Sequence, residues 1–302
     1  MPEAAHVGAQ PTLGEVLRQA TADLRRAGID DAGNDARRLL AAALGLSGAQ
    51  LLSRPERRLG PEEVERLGRC LARRRSREPV SRILGEREFY GRSFTISPAT
   101  LDPRPDSETL IAAALDLVRL EGWRAAPLRI LDVGTGSGCL LLTLLCELPN
   151  VVGVGTDISE AALEIARDNA RRLGVQHRVQ WFVRDALEGI GGHFEVLVSN
   201  PPYVCTGDIA RLEPEVRCFD PLSALDGGDD GLHFFRRFAA RIPGVIPDGW
   251  VVLEVGHDQA DTVAGLLQSS LSVSKADDIR INRDVTGRRR CVAARTRKSA
   301  YT

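Results

Sequence analysis

Apolar residues recur at helical spacing in the first part of the chain and gather into short unbroken runs in the rest. Leu13, Val16, Leu17, Ala20 and Leu24 lie on one face of a predicted helix, which Gly28 ends. Thr12 with Glu15 three residues on forms a capping box at its start. A second helix is predicted from about Asp31–Asn34 through Ala36, Leu39, Leu40 and Ala43 to Gly45. A third opens at Pro61-Glu62-Glu63, where proline suits the first turn, and carries Val64, Leu67 and Leu71. These amphipathic segments predict a small bundle, serving either as a substrate-recognition module or as a stabilising cap. Residues 1–10 are expected to be disordered.

The pattern changes at residues 79–106. Phe89–Ile96 reads as a β-hairpin turning at Gly91. Pro103 and Pro105 are expected to keep the next segment extended until Ser107-Glu108 starts a helix through Leu110, Ala113, Ala114 and Leu117. This segment would lie near the mouth of any cleft in the domain that follows. Beyond it, strands are predicted at Leu128–Val133, Val151–Thr156 and Arg178–Val183, and buried strands at Phe194–Val198 and Gly249–Val255. Helices are predicted at Cys139–Leu148, Glu160–Leu173, through Phe234, Phe235, Phe238 and Ile242, and at Gln259–Leu267. Two closing strands are expected near Leu271–Lys275 and Arg290–Ala294. Strands alternating with helices predict an α/β fold around a mostly parallel sheet. The irregular stretch from Tyr203 to Gly231 is long for a compact domain, and such loops are usually functional or disordered.

Composition narrows the class. A chain of 302 residues with 27% charged and 43% hydrophobic residues suits a two-domain globular protein. No apolar run approaches the roughly 20 residues of a membrane span, and no secretory signal is visible at Met1–His6. Six scattered cysteines without a Cys-x-x-Cys pair argue against a zinc site or a disulfide framework, so no metal is expected. A cytoplasmic protein with reduced thiols is the simplest account. The net charge of −1 argues against broad nucleic-acid coating. Residues 1–85 nevertheless carry a net +4, with 15 Arg against 11 Asp and Glu. Within them the run Arg73-Arg74-Arg75-Ser76-Arg77 could meet phosphate or an acidic partner, although a solvated helix end is the simpler reading.

Candidate chemistry gathers at predicted strand ends, where open α/β sheets bind ligands. After the first strand comes Gly134-Thr135-Gly136-Ser137-Gly138, and glycines let the backbone approach a ligand closely. Asp157 ends the second strand, where a carboxylate can bind both ribose hydroxyls. Asp185 and Ala186 follow the third strand; Asp185 could accept from an adenine amino group, and the Ala186 backbone could meet the ring, although a solvated strand-end carboxylate is the plain alternative. The glycine spacing departs from the dinucleotide fingerprint. Together with Asp132, Asp157 and Asp185 it favours a single nucleoside carrying positive charge. After the fourth strand stands Asn200-Pro201-Pro202-Tyr203. The Asn200 side-chain carbonyl can accept from an NH2 group. The prolines stiffen the turn and can hold the Pro201 carbonyl outward as a second acceptor. Tyr203 offers a flat face. The turn thus suits one planar NH2 group, against the plainer reading of a Pro-rich turn that caps a strand.

These motifs together resemble the release-factor glutamine N5-methyltransferases, the PrmC/HemK family, over nearly the whole chain. The resemblance rests on Glu78-Pro79-Val80 with Ile83-Leu84-Gly85, Glu88-Phe89-Tyr90-Gly91, Pro103–Glu108, Asp132–Gly138, Asn200–Tyr203, and Pro221–Gly228 with Asp230-Gly231-Leu232. It implies a five-helix-type N-terminal substrate-recognition domain at 1–85, a β-hairpin linker at 86–106 and a Rossmann-like class I methyltransferase domain at 107–302, with a seven-stranded, mostly parallel sheet. It implies S-adenosylmethionine as methyl donor, S-adenosylhomocysteine as product, and as substrate the glutamine of the Gly-Gly-Gln motif in class I peptide-chain release factors. Gly134, Thr135, Gly136, Ser137, Gly138 and Asp157 would hold the cofactor, with Asp185 and Ala186 near the adenine and Asn200 also in contact. Asn200, Pro201, Pro202 and Tyr203 would hold the target amide. No nucleic acid or membrane partner is implied, and a monomer is the default. Asp102 and Ser107 depart from an apolar residue and a threonine usual in the family, and neither is expected to touch the chemical step. The rivals are an adenine-N6 nucleic-acid methyltransferase, which faces the same planar NH2 but wants a basic groove, a nicotinamide-dependent oxidoreductase, and a non-catalytic protein that kept the fold.

Overall fold

The computed structural model describes residues 10–271 and 278–297. The chain forms two compact units, one ending at Gly85 and the other beginning at Glu86.

The first unit contains the three predicted helices and two more. They are α1 (Leu13–Arg26), α2 (Ala32–Leu44), α3 (Gly48–Ser53), α4 (Pro61–Arg75) and α5 (Val80–Leu84). The capping box forms: Thr12 Oγ1 accepts from the Glu15 amide at 3.3 Å, and Glu15 accepts from the Thr12 amide at 2.8 Å. Leu13, Leu39, Leu40, Leu51, Leu59 and Leu67 make one core. The short helices α3 and α5 escape the sequence pattern because five or six residues hold too few apolar positions to show a period. The arginine run is not a free basic patch. Arg73 is bidentate to Glu78 at 2.7 and 2.5 Å, and Arg74 is buried against Asp35 at 2.7 Å. The predicted disorder of residues 1–10 lies, apart from Gln10, outside the described residues.

The second unit opens with the predicted hairpin, β1 (Glu86–Phe89) and β2 (Arg92–Thr95). Its two-residue turn puts both Tyr90 and Gly91 at positive φ, the geometry that matches the twist of the flanking strands. The Asn169 amide clamps β2 by bonding the Thr95 N–H and carbonyl at 2.8 and 2.9 Å, and it also donates to the Ser137 carbonyl at 2.9 Å. Pro105–Ser107 is a 3-10 turn rather than the extended chain expected, since the fixed φ of proline is equally suited to a first helical turn. It leads into α6 (Glu108–Leu120).

Seven strands form the sheet: β3 (Arg129–Val133), β4 (Val152–Asp157), β5 (Val179–Val183), β6 (Val196–Ser199), β7 (Gly249–Glu254), β8 (Ile279–Arg283) and β9 (Arg289–Thr296). Their order is β5-β4-β3-β6-β7-β9-β8. The first five are parallel, and β9 runs antiparallel between β7 and β8. The expected strand at Leu271–Lys275 begins on a helix cap, because Leu271 closes α11, and its other residues lie outside those described. The first strand described after α11 is β8.

Alternation along the strands sorts side chains to two faces. Ile130, Val196 and Val198 join α6 (Leu110, Leu117) and α7 (Cys139–Glu147; Leu141, Leu145) in one core. Leu131, Leu197 and Leu253 point the other way, into a core with α10 (His233–Val245; Phe235, Phe238) and α11 (Ala260–Ser270; Val263, Leu267). The remaining helices are α8 (Glu160–Arg172) and the short α9 (Pro214–Arg217). The order of strands reverses between β3 and β6, so their carboxyl ends open a crevice.

Candidate active site

A cavity of about 480 Å³ occupies that crevice, within the range of roughly 300–1,000 Å³ typical of small-molecule sites. The glycine turn after β3 forms its floor. Gly134, Gly136 and Gly138 have φ of +70°, +56° and +80°, conformations that a side chain would strain. A Cβ on Gly138 would also stand 2.9 Å from Leu142. The Thr135 hydroxyl donates to Asp132 at 2.6 Å. Asp132 is fully buried, and burial pushes its carboxyl up to about 7.

Asp157 reaches the cavity from the end of β4. It accepts from the Gly136 amide at 2.9 Å through one oxygen and from the Ser159 amide at 2.9 Å through the other. Burial raises its pKa and these backbone bonds oppose the rise. Each oxygen keeps a further lone pair for a ligand hydroxyl. Asp185 and Ala186 line the same cavity. Asp185 is neither a free acceptor nor simply solvated, for Arg237 on α10 pairs with it at 2.9 Å. Ala186 has φ +50°, which turns its backbone sharply.

Asn200, Pro201 and Pro202 line the opposite side, just past β6. Ser199 anchors their turn by donating to the Val133 carbonyl at 2.6 Å. The Asn200 side-chain NH2 donates to Ser107 Oγ at 3.3 Å. Ser107, expected to stand apart from the chemistry, is therefore in contact with the central residue of the site. Tyr203, expected to offer a flat face, is not among the residues lining the cavity. Its hydroxyl donates to Glu254 at 3.3 Å, and its carbonyl accepts from Gln259 at 3.0 Å.

Several residues of the site escaped the sequence pattern. Glu254 ends β7, is 2% exposed, and is pushed up to about 7 by burial, a rise that the Ser107 hydroxyl, Arg290 and Tyr203 oppose. Its signal was a lone carboxylate in the apolar run Val251-Val252-Leu253-Glu254-Val255. Ile158, Leu222, Phe234 and Phe238 supply apolar wall. The loop after Tyr203 is built rather than irregular. Val204 bridges Asp226, the Gly227 amide donates to the Val204 carbonyl at 2.8 Å, and Thr206 donates to Asp226 at 2.7 Å. Its Asp220 side chain is buried, pairs with Arg104 and accepts from the Asp102 amide at 3.2 Å. The departing Asp102 is thus accommodated beside a second carboxylate, with Arg87 3.8 Å away.

A parallel sheet reversing between β3 and β6, a glycine turn after the first strand, a carboxylate after the second and an Asn-Pro-Pro turn after the fourth together define a Rossmann-like class I methyltransferase. Comparison with known proteins agrees. The family model described as PrmC N-terminal domain matches residues 15–85, and that described as Methyltransferase small domain matches residues 115–211. The release factor glutamine methyltransferase of Rhodospirillum rubrum is 45% identical over 286 residues, covering 94% of this chain and 85% of the relative. That of Cereibacter sphaeroides is 41% identical, covering 93% of this chain and 97% of the relative. Among solved structures, the hMettl16 catalytic domain in complex with a 3′UTR hairpin superposes with a TM-score of 0.51 at 16% identity, over 77% of this chain and 80% of that one, a likeness of fold. The chain belongs to the release factor glutamine methyltransferase family.

Proposed function

We propose that the protein methylates the side-chain amide nitrogen (N5) of the glutamine in the Gly-Gly-Gln motif of class I peptide-chain release factors, using S-adenosylmethionine and supporting translation termination in the cytoplasm. The observation that carries this reading is the meeting of Asn200-Pro201-Pro202 with the glycine turn and Asp157 in one cavity. The cavity suits the cofactor on chemical grounds. Asp157 offers ribose acceptors, and Ile158 and Phe234 offer apolar wall for a base. When bound, S-adenosylmethionine supplies an electrophilic sulfonium methyl group and leaves as S-adenosylhomocysteine.

The chain's own residues hold and align. Gly134, Thr135, Gly136, Ser137 and Gly138 bring backbone close to the cofactor, Asp157 takes the ribose, and Asp185 with Ala186 borders the adenine. Asn200 accepts one N–H of the glutamine amide through its side-chain carbonyl, and the Pro201 carbonyl accepts the other. An amide nitrogen is a poor nucleophile because its lone pair is delocalised. Two acceptors on its hydrogens favour a pyramidal, electron-rich nitrogen as positive charge develops, which is stabilisation by fixed dipoles added to alignment. Pro202 stiffens the turn, and Tyr203 secures it from beneath through Glu254 and Gln259. The unit ending at Gly85 recognises the release factor, the hairpin region of residues 86–106 connects it to the methyltransferase domain, and the enzyme acts as a monomer without touching nucleic acid or membrane. The net charge of −1 supports the absence of nucleic-acid coating. Among the described residues no helix is long and apolar enough to cross a membrane.

The test is transfer of labelled methyl to a purified class I release factor, with the modified residue mapped by mass spectrometry. Methyl on the Gly-Gly-Gln glutamine is the expected result. Asn200→Ala is expected to cut kcat about 100-fold or more while the affinity for S-adenosylhomocysteine changes little. Label entering adenine of DNA or RNA, and not the protein, would replace this reading with the nucleic-acid one.

A further inference from the structure

One buried side chain joins two sides of the cavity. Asn169 on α8 is 1% exposed. Its side-chain carbonyl accepts from the Thr95 amide at 2.8 Å, and its NH2 donates to the Thr95 carbonyl and to the Ser137 carbonyl, both at 2.9 Å. The orientation follows from the partners, because two carbonyls demand donors and one N–H demands an acceptor. Ser137 belongs to the glycine turn at the cavity floor. Thr95 ends β2, and the chain beyond it becomes a wall of the same cavity at Ala99, Thr100, Leu101, Pro103 and Arg104. The connection between them is short and tied. Ile96 is buried, the Ala99 amide donates to Ser97 Oγ at 3.2 Å, and the Thr100 amide donates to the Ser97 carbonyl at 3.0 Å. Asp220 holds the far end of the wall through the Asp102 amide and Arg104.

We infer that Asn169 is a positioning residue that couples the glycine turn to this wall, so that cofactor seated on the turn stiffens the face that the glutamine meets. The inference rests on the proposed function and deepens it, since it concerns how the two reactants are brought into register. Left to itself the turn is mobile, because Gly134, Gly136 and Gly138 each permit several backbone conformations. On one side Asp157 holds the Gly136 amide, and the Thr156 carbonyl accepts from the Thr135 amide at 2.9 Å. On the other side Asn169 holds the Ser137 carbonyl. In a trans peptide the C=O and the following N–H point opposite ways. Fixing the Ser137 carbonyl on Asn169 therefore aims the Gly138 amide at the Thr135 carbonyl, which accepts it at 2.8 Å and closes the turn. Without Asn169 that peptide can rotate, and binding must then restore an order that the turn now holds in advance. The same side chain spends its other donor and its acceptor on Thr95. The turn and the strand end thus share one restraint, and what steadies one steadies the other. Arg172 also bonds Thr95, through the threonine hydroxyl.

The experiment follows amide hydrogen exchange at Thr95 by NMR in the full chain, with and without S-adenosylhomocysteine, beside calorimetric binding of the same ligand. In the parent chain the ligand is expected to slow Thr95 exchange by about fivefold or more, the lower end of ordinary coupling between sites. Asn169→Ala removes all three bonds. Asn169→Asp keeps an acceptor for the Thr95 amide and loses the donor to Ser137. Both variants are expected to bind the ligand about fivefold or more weakly, because the Ser137 carbonyl loses its buried partner. In both, ligand at saturation should no longer slow Thr95 exchange. Arg172→Ala removes an exposed tie to the same strand and leaves the turn untouched, so it should stay within about twofold of the parent chain in both readouts. Thr95 exchange indifferent to the ligand in the parent chain, an undiminished effect in the Asn169 variants, or equal losses in Arg172→Ala would overturn the inference. Should one Asn169 variant fail to fold, the other and the parent chain still decide. No binding of S-adenosylhomocysteine to the parent chain would remove the cofactor reading of the cavity, and the inference with it.

Discussion

Burying a carboxyl group disfavours its charged form, and Asp132 and Glu254 carry that cost at the ends of β3 and β7. Both are raised to about 7, from ordinary values near 3.8 and 4.5. Between about pH 4 and 7 the folded chain therefore holds protons that the unfolded chain has released. Stability contributed by these groups is present below that window and falls as pH rises through it. Asp230 and Asp284, lowered to about 2, lose their contribution only in stronger acid. The cofactor-free protein is thus expected to melt at a higher temperature at about pH 6 than at about pH 8, and Glu254→Gln should reduce the difference. Calorimetry showing the opposite slope would contradict this. Asp157 permits a second residue-level prediction. Asn at this position can accept through only one atom, so either the Gly136 or the Ser159 amide loses its partner. Asp157→Asn should weaken S-adenosylhomocysteine binding by about tenfold or more, roughly the worth of one charge-assisted hydrogen bond, and unchanged affinity by titration would remove Asp157 from the cofactor site.

At the level of elements, long periodic segments were legible in the sequence and short or irregular ones were not. The strands β6 and β7 announced themselves because both faces of a central strand are buried, leaving apolar runs. The helices α3 and α5 are too short to show a period, although the Ser47–Gln50 capping box marks the start of α3 locally. The site divided in the same way. Gly134–Gly138, Asp157 and Asn200-Pro201-Pro202 lie next to strands in sequence, and the structure brings them into one cavity. Ser107 and Glu254 meet Asn200 and Tyr203 across separations of 93 and 51 residues, which no local motif encodes. The loop after Tyr203 shows what tertiary contact adds. Gly231 has φ +71°, and a Cβ there would stand 2.4 Å from the Tyr203 carbonyl and 2.5 Å from the Gln259 amide nitrogen. Gly231→Ala should destabilise the protein by about 1–3 kcal/mol through overpacking and left-handed strain and lower kcat, because the Gln259 tie to the Asn200 turn is displaced. A melting temperature and kcat both equal to those of the parent chain would contradict this.

At the scale of the molecule, the two units carry separate cores, and every residue lining the cavity belongs to the second. A chain of residues 86–302 is therefore expected to fold and bind S-adenosylhomocysteine with about the parent affinity, while losing methyl transfer to an intact release factor. Full transfer by that fragment would take substrate recognition away from the first unit. The position of β9 has a further consequence. It is the last strand of the sheet in chain order, yet it lies between β7 and β8 and carries Arg290 beside Glu254. During synthesis β8 has no neighbour in the sheet until β9 has emerged and threaded between them. A nascent chain halted before residue 289 would hold the glycine turn, Asp157 and Asn200, and still lack the strand that joins β8 to the sheet. The enzyme thus makes every residue of its cavity before it makes the strand that completes its sheet.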